Sequence, residues 1–551
     1  MFHVEQKFFK MNIKGNLIDL YLNEIYPVSI TVKGKKIESI CRIDEYCEYF
    51  ILPGFIDAHI HIESSMLSPF EFGRQVIKHG TVAVVNDPHE IVNVCGLAGI
   101  EYMISDANTS PIKFFFGVPS CVPASDFETS GSHINADEIS MLFKKGDFVV
   151  LSEMMNFPGV ISQDQEVIRK IGVAQLFNKP VDGHAPGITG RELLSYVNAG
   201  ITTDHECFSI KEAEEKVSLG MKILIREGSA AKNFDALFAL IDKYPGKIMF
   251  CSDDKHPDDL VESHINNLVI RALAKGADLY NVLRAASHSP VLHYELPVGL
   301  LKEHDYADFI MVDNLTDFSV QKTIINGKIV FDKVSDSTKK SLKRNYSQIN
   351  NFKVTHLIAN ALKTNIPQSA RSMNVIEVIE DELITKSIQI PFTNLEEAIH
   401  EYDLNKIALV NRYIANSPPI IGYIKGFNVT GALASSVAHD SHNIIGVGNN
   451  DEDLLKAMNL VISSQGGLSF VKGNFFENLM LEIAGLMTNQ KADEVAKRYK
   501  SLNSLVKENG CPLDAPFMTL SFMALIVIPG LKISDKGLFD ISKLAYVPLF
   551  E

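Results

Sequence analysis

The stretch "PGFIDAHIHIESSM", residues 53–66, places His59 and His61 two positions apart in an apolar run, with Glu63 at the same spacing again. In an extended strand, residues i and i+2 share a face, about 7 Å apart by the rise per residue. Both imidazoles can therefore face one ion, provided the rest of the chain brings further ligands to the same place.

On either side of the barrel-like middle the sequence reads as antiparallel β. Upstream, "IDLYLNEIYPVSITVKGKKIESI" (18–40) alternates β-branched and polar residues and turns at 32–36. Downstream, "DYADFIMVDNLTDFSVQKTIINGKIVFD" (305–332) alternates again and turns at Asn326-Gly327. The two flanks, 1–52 and 298–335, are expected to pair as one split small β-sandwich domain around residues 53–297.

Within 53–297 short apolar runs alternate with helix-length segments. Strands are expected near 53–59, 81–86 (TVAVVN), 113–118 (KFFFGV), 147–152, 179–183, 200–204, 221–226 (MKILIR) and 247–252 (KIMFCS). Helices such as "SIKEAEEKVSLG" (209–220) and "FDALFALIDKYPG" (234–246) fill the gaps. Eight strands alternating with helices over this length call for an α/β fold, a (β/α)8 barrel. Residues 336–351 are expected to be a linker and 352–551 an additional C-terminal α+β domain, in which "DEDLLKAMNLVISSQGG" is a helix stopped by Gly466-Gly467.

Composition narrows the function. A chain of 551 residues is too long for one core. Its net charge of −15 disfavours a nucleic-acid partner, which needs a basic face, and suits a small neutral or cationic ligand. Lys and Arg crowd around 332–351, as in a solvated linker. Seven cysteines with no C-x-x-C point to reduced thiols and a cytoplasmic protein. The opening residues lack the apolar centre of a secretory signal, and "FMALIVIPGL" (522–531) is too short for a bilayer, so no membrane partner is expected.

In a barrel of this kind the active site lies at the carboxyl ends of the strands. Those ends carry His59 and His61, Asp87 and His89 in "NDPHE", Glu153 in "LSEMMN", His184 in "VDGHAPG", His205 in "TTDHE", Arg226, and Asp253 in "CSDD". His59, His61, Glu153, His184, His205 and Asp253 supply six nitrogen and oxygen ligands, enough for two divalent ions sharing a bridging carboxylate. Such ligands suit Zn, Mn or Fe. A bound ion would lower the pKa of water and polarise the group attacked. Any one of these histidines alone reads more simply as a hydrogen-bonded strand-end residue; the set as a whole carries the metal reading. Two look-alike motifs fail: "HIE" at 61–63 has no P-C-x-x-C to complete a cytidine-deaminase type of zinc site, and "HECFS" at 205–209 lacks the second His of H-E-x-x-H.

"LPGFIDAHIHIESSM", the barrel and the split β unit resemble the amidohydrolase superfamily. "NDPHEIVNVCG", "LSEMMNFPGV", "VDGHAPG", "ITTDHE", "CSDD" and "GFNVTGALASSVAHDSHNIIGVG" (426–448) resemble its bacterial-type adenine deaminases over nearly the whole chain. The resemblance implies conversion of adenine to hypoxanthine and ammonia in purine salvage, with two divalent ions, usually manganese or iron. It carries the metal roles onto His59, His61, His184, His205 and Asp253. Glu153 stands where many relatives have a carbamylated lysine.

The implied chemistry is attack of a metal-bound hydroxide on C6, with Asp253 as the first proton acceptor and Glu153 and His205 as further catalytic groups. His89, Arg226 and Asp254 are the candidates for reading the purine, with structural hydrogen bonds or ion pairs as the alternative for each. Glu63 and Glu206 could orient ligands or donate a proton. The cluster His439, Asp440 and His442 could close over the barrel, bind another metal, or be a polar turn. Alternatives to adenine are a modified purine such as 6-methyladenine or a cyclic amide, and in another class a non-catalytic scaffold, which would show a broken ligand set. By analogy with such metalloenzymes a homodimer is expected.

Overall fold

The computed structural model describes residues 10–335, 348–379 and 382–551, so most of the expected linker 336–351 lies outside the described residues. Four strands open the chain: β1 (Lys10–Asp19), β2 (Glu24–Lys33), β3 (Lys36–Arg42) and β4 (Phe50–Pro53). Eight follow in the middle: β5 (Phe55–Ile60), β6 (Thr81–Asn86), β7 (Lys113–Val118), β8 (Phe148–Met154), β9 (Val181–Gly183), β10 (Thr203–Asp204), β11 (Lys222–Arg226) and β12 (Ile248–Cys251). Then come β13 (Phe309–Val312), β14 (Val320–Ile325) and β15 (Lys328–Asp332).

The outer strands form one seven-stranded sheet in the order β15-β14-β13-β4-β1-β2-β3. β4 is the junction, pairing parallel with β1 and antiparallel with β13, Pro53 opposite Phe309. Hydrogen bonding runs continuously through β4, because this short segment fits between strands from both ends of the unit. Alternation in β2 buries Val28, Ile30 and Val32, which meet Ile51, Phe309 and Ile324 in one core.

The middle strands are parallel. β5 to β9 form one sheet and β10 to β12 another. Hydrogen bonds join them at both seams: Thr202 N–H donates to Val181 O at 2.9 Å, and Asp253 N–H donates to His59 O at 3.0 Å. β5 and β6 are buried along their whole length, as expected of parallel strands covered on both faces. Below the second seam Asp57 is buried; its Oδ1 accepts from Ser252 N–H at 3.0 Å, and its Oδ2 faces His264 Nε2 at 2.9 Å. The segment expected as one helix over 234–246 is two short ones, Phe234–Leu237 and Leu240–Lys243. Ile241 N–H bonds Phe238 O, a tightened turn that interrupts the α pattern.

The C-terminal region carries β16 (Ser372–Val378), β17 (Thr385–Pro391), β18 (Leu404–Val410), β19 (Ile420–Lys425), β20 (Ala432–Ser435), β21 (Ile444–Gly448), β22 (Gly467–Lys472) and β23 (Phe475–Met480). They form one sheet in the order β17-β16-β19-β18-β21-β20-β22-β23. Helix Asp451–Ser463, capped by Asn450, lays Leu454, Ala457, Met458 and Val461 on Ala432, Ile444 and Val471. Gly466 and Gly467 end its turn with φ of 131° and 137°, backbone that favours glycine. All seven cysteines are free, and among the described residues no helix is long and apolar enough to cross a membrane.

This region docks beside the H-x-H segment. Thr488 N–H donates to Met66 O at 2.9 Å, and Ser68 N–H to Thr488 O at 3.0 Å. Helix Ala492–Glu508 packs on helix Pro257–Glu262, where Tyr499 Oη meets His256 Nδ1 at 2.6 Å. Burial pushes His256 from the ordinary 6.5 down to about 3, with the charge of His439 adding to it. A depressed folded-state value makes its contribution to stability complete above about pH 6.5 and lost as pH falls toward 3. The thermal unfolding midpoint should therefore fall less steeply below pH 6.5 in His256→Gln than in the wild type, after a cost of about 1 kcal/mol at pH 8 for the lost bond. Parallel acid limbs in the two proteins would contradict this.

Candidate metal centre

The strand ends converge as their positions require. His59 lies in β5 with His61 just beyond it, Glu153 lies in β8, and His184 and His205 follow β9 and β10. Arg226 ends β11, and Asp253 follows β12 with φ 54°, its backbone pinned to β5 by bonds to His59 O and from His61 N–H. Glu153 is the centre. Its Oε2 lies 2.9 Å from His184 Nδ1, 3.2 Å from His205 Nε2 and 3.9 Å from His59 Nε2. Its Oε1 lies 3.2 Å from His61 Nε2 and 3.6 Å from His89 Nδ1. Asp253 Oδ1 faces His61 Nε2 at 3.1 Å and His59 Nε2 at 3.4 Å. All six residues expected as ligands are thus within one cluster, buried except for the partly exposed His184.

The electrostatics follow from this crowding. Burial favours neutral Glu153, but the imidazoles of His184, His205 and His61 hold its carboxyl well below the ordinary range. Asp253 is likewise held low against burial, by Arg226 first and then by His59 and His61. Burial pulls His61 down, and its bonds to Asp253 and Glu153 carry it well above the usual imidazole value.

The residues fit divalent cations. His61 Nδ1 is 3.1 Å from Asp87 O, so a neutral ring carries its proton there and turns the Nε2 lone pair toward two carboxylates. With the ring neutral, acceptor faces acceptor, an arrangement that a cation between them satisfies in place of the proton His61 otherwise takes up. His59 Nε2 and His205 Nε2 are buried without a hydrogen-bond partner among the described residues, although carboxylate oxygens lie close by. Nitrogen and oxygen ligands with no thiolate match the chemistry of Mn, Fe or Zn.

The residues expected to read the purine are partly engaged. Arg226 Nη1 donates to Asp253 Oδ2 at 2.9 Å and to Glu206 Oε1, and Nη2 donates to Glu206 Oε2 at 3.1 Å. Asp254 Oδ1 accepts from Ser64 Oγ at 2.5 Å. His89 opens helix His89–Cys95, its Nδ1 3.2 Å from Asp87 Oδ2. Glu63 Oε1 accepts from Ile91 N–H at 3.1 Å, while Oε2 is buried without a partner among the described residues. The loop carrying His439 and His442 reaches this mouth: both rings meet Glu90, His439 Nδ1 at 2.6 Å from Oε1 and His442 Nε2 against Oε2. Glu90 and Asp57 carried no sequence signal of their own; Glu90 merely follows His89, and its partners are hundreds of residues away.

Parallel strands presenting clustered His, Asp and Glu side chains at their carboxyl ends are where an enzyme of this architecture carries its active site. The amidohydrolase family model matches residues 50–330, and the adenine deaminase C-terminal domain matches 382–545. Similar full-length proteins include the adenine deaminases of Sulfurovum sp., 49% identical over 96% of this chain and 98% of that one, and Salinibacter ruber, 47% identical over 98% and 99%. That of Borreliella afzelii is 47% identical over 97% and 99%. The chain belongs to the amidohydrolase family, and within it to the adenine deaminases.

If Glu153 spans the cluster, Glu153→Gln should leave the fold intact by circular dichroism and reduce bound metal per chain measured by plasma emission. Unchanged metal content in a folded variant would remove Glu153 from the ligand set.

Proposed function

We propose that this chain hydrolyses adenine to hypoxanthine and ammonia at the mouth of its parallel sheet, as part of purine salvage in the cytoplasm. The observation that carries the reading is the gathering of His59, His61, His184 and His205 around Glu153, with Asp253 against His59 and His61, in a chain with near-full-length relatives named adenine deaminase. A complete set disfavours a scaffold that has lost its chemistry.

His59, His61, Glu153, His184, His205 and Asp253 would hold two divalent ions, with Mn or Fe favoured over Zn by the family resemblance. Bound there, the ions supply Lewis-acid polarisation and a more acidic water. The rest falls to side chains. Asp253 is anionic, as a proton acceptor must be, and Arg226 fixes its Oδ2 while Oδ1 stays with His59 and His61. Glu153 and His205, in contact at 3.2 Å, complete the catalytic group.

Arg226 thereby becomes a positioning residue for Asp253 and Glu206, leaving His89 and Asp254 as the groups for the purine. Glu206 is held far below the ordinary range, against burial, by Arg226, so it is a poor proton donor. Glu63 is the better donor: burial pushes it up to about 7, so a protonated fraction persists near neutral pH to serve a ring nitrogen or the departing amine.

The domain division that suits this reading is 1–52 plus 298–335 as the split β unit, 53–297 as a closed (β/α)8 barrel, and 352–551 as the C-terminal domain. The seam bonds at Thr202 and Asp253 and the junction strand β4 support it. A homodimer remains the assembly we favour by analogy.

Ammonia release from adenine, with metal content counted on the same sample, tests the reading. Turnover is expected in the wild type, and Asp253→Asn should lose at least about a hundredfold in kcat while folding normally. A metal-loaded wild type inert on adenine would overturn the substrate, and a fully active Asp253→Asn would overturn the proton acceptor.

A further inference from the structure

The loop Ala438–Asn443 joins β20 to β21 and is buried throughout despite its polar sequence. It is held on all sides. His439 Nδ1 meets Glu90 Oε1, its N–H donates to Ser521 O at 3.1 Å, and its ring stacks on Phe522 with centroids 4.7 Å apart. Arg412 Nη1 donates to His442 O at 3.3 Å, Arg412 N–H donates to Asn443 Oδ1 at 3.1 Å, and Tyr413 Oη donates to Ser441 O.

The cluster Glu90, His439 and His442 is a hydrogen-bonded clamp. His442 Nδ1 accepts the Ala438 N–H at 3.3 Å, so a neutral ring carries its proton on Nε2, the atom that faces Glu90 Oε2. A metal at Nε2 would need that proton on Nδ1, which is occupied as an acceptor.

Asp440 is the exception in the loop. It is 3% exposed, and its Oδ2 is buried with no hydrogen-bond partner among the described residues. Oδ1 lies 3.8 Å from His439 Nδ1, which is already committed to Glu90. Its neighbour His439 holds Glu90, whose Oε1 lies 3.5 Å from His89 Nε2, and His89 Nδ1 lies 3.6 Å from Glu153 Oε1, so the loop that carries Asp440 stands beside the cluster. A buried carboxylate oxygen left without a donor is costly unless something bound supplies one. Beside Glu90 and Glu153 an anion would be repelled, whereas a neutral N–H donor would be accepted.

The purine offers that donor. With C6 directed at the cluster, the imidazole-ring N–H at the opposite end of the purine is the donor left for the His439–His442 loop that meets Glu90. We propose that Asp440 is a substrate-reading residue supplied by the C-terminal domain, its free Oδ2 accepting the imidazole-ring N–H of the purine. The inference rests on the adenine reading above. It makes the active site a product of two domains, with the Glu90 clamp placing Asp440.

The test is steady-state kinetics on adenine, with inhibition by hypoxanthine, for wild type, Asp440→Asn and Asp440→Ala. Hypoxanthine keeps the imidazole N–H and lacks the amine. In Asp440→Ala, KM for adenine and the inhibition constant for hypoxanthine should rise together by about tenfold or more, with kcat within about threefold. Metal content and unfolding midpoint should stay at wild-type values. Asp440→Asn, of nearly equal size, provides the folded comparison should the alanine variant be unstable, and should show the same paired rise. Unchanged KM and inhibition, a loss confined to adenine, a change in kcat alone, or loss of metal would each overturn the proposal. A wild type with no turnover on adenine would instead fail the function reading, so the two failures are separable.

Discussion

One carboxylate organises the centre of this protein. Glu153 puts one oxygen among His59, His184 and His205 and the other near His61 and His89, so a single side chain touches residues on or following four different strands, β5, β6, β9 and β10. That arrangement demands a closed mouth. If the β5–β12 seam opened, His59 and Asp253 would separate and the cluster would lose one of its two carboxylates. Asp57 beneath the seam meets this need, taking Ser252 N–H from β12's end and His59 N–H from its own strand. A buried acid with that many donors is well satisfied, and it fixes the register in which the ligands meet.

The C-terminal region extends the same constraint outward. Its contacts with Met66 and Ser68 lie directly after the H-x-H segment, and Tyr499 reaches His256 just after Asp253. Arg412, fully buried, turns its guanidinium to main-chain oxygens of His442 and Ala484 and to Asn350, so the loop over the mouth is braced from behind. The C-terminal region is therefore joined to the parallel strands beside the residues of the cluster.

Much of this was readable in the sequence for a physical reason. Parallel strands covered on both faces must be continuous apolar runs, and "TVAVVN" and "MKILIR" announce themselves as β6 and β11; ligands then fall at the polar residues that stop each run. The signal weakens where the run is short, and "ITTDHE" yields only Thr203–Asp204 as β10. Arg226 was legible as a strand-end cation, but its partners were not, since Glu206 and Asp253 are brought to it by neighbouring strands. Glu90 was illegible because its meaning lies 349 and 352 residues away, in His439 and His442. Local pattern specifies elements; pairings across such distances are specified only by the finished core. The double pairing of β4 is likewise a property of the assembled unit, invisible in the segment 50–53 alone.

The balance of charge at the mouth explains why so many acids can be buried together. Glu63, Glu90, Glu153, Glu206, Asp253, Asp254 and Asp440 are all within or beside the cluster, and Arg226 is the permanent cation among them. Without further positive charge, like-charged carboxylates raise one another, as Asp253 does to Asp254 and as Glu90 does to Glu63, in each case on top of burial. The imidazoles answer by taking up protons, which is why His61 and His205 are carried well above their ordinary values by Glu153 and its neighbours, against the pull of burial. Divalent ions would supply the same positive charge with fewer groups and without protonating the imidazole nitrogens. The same crowd of acids therefore favours cations at the cluster, and burial with Glu90 alongside pushes Glu63 up to about 7, the highest of the three acids raised there, with Asp440 pushed up to about 6 and Asp254 raised by Asp253.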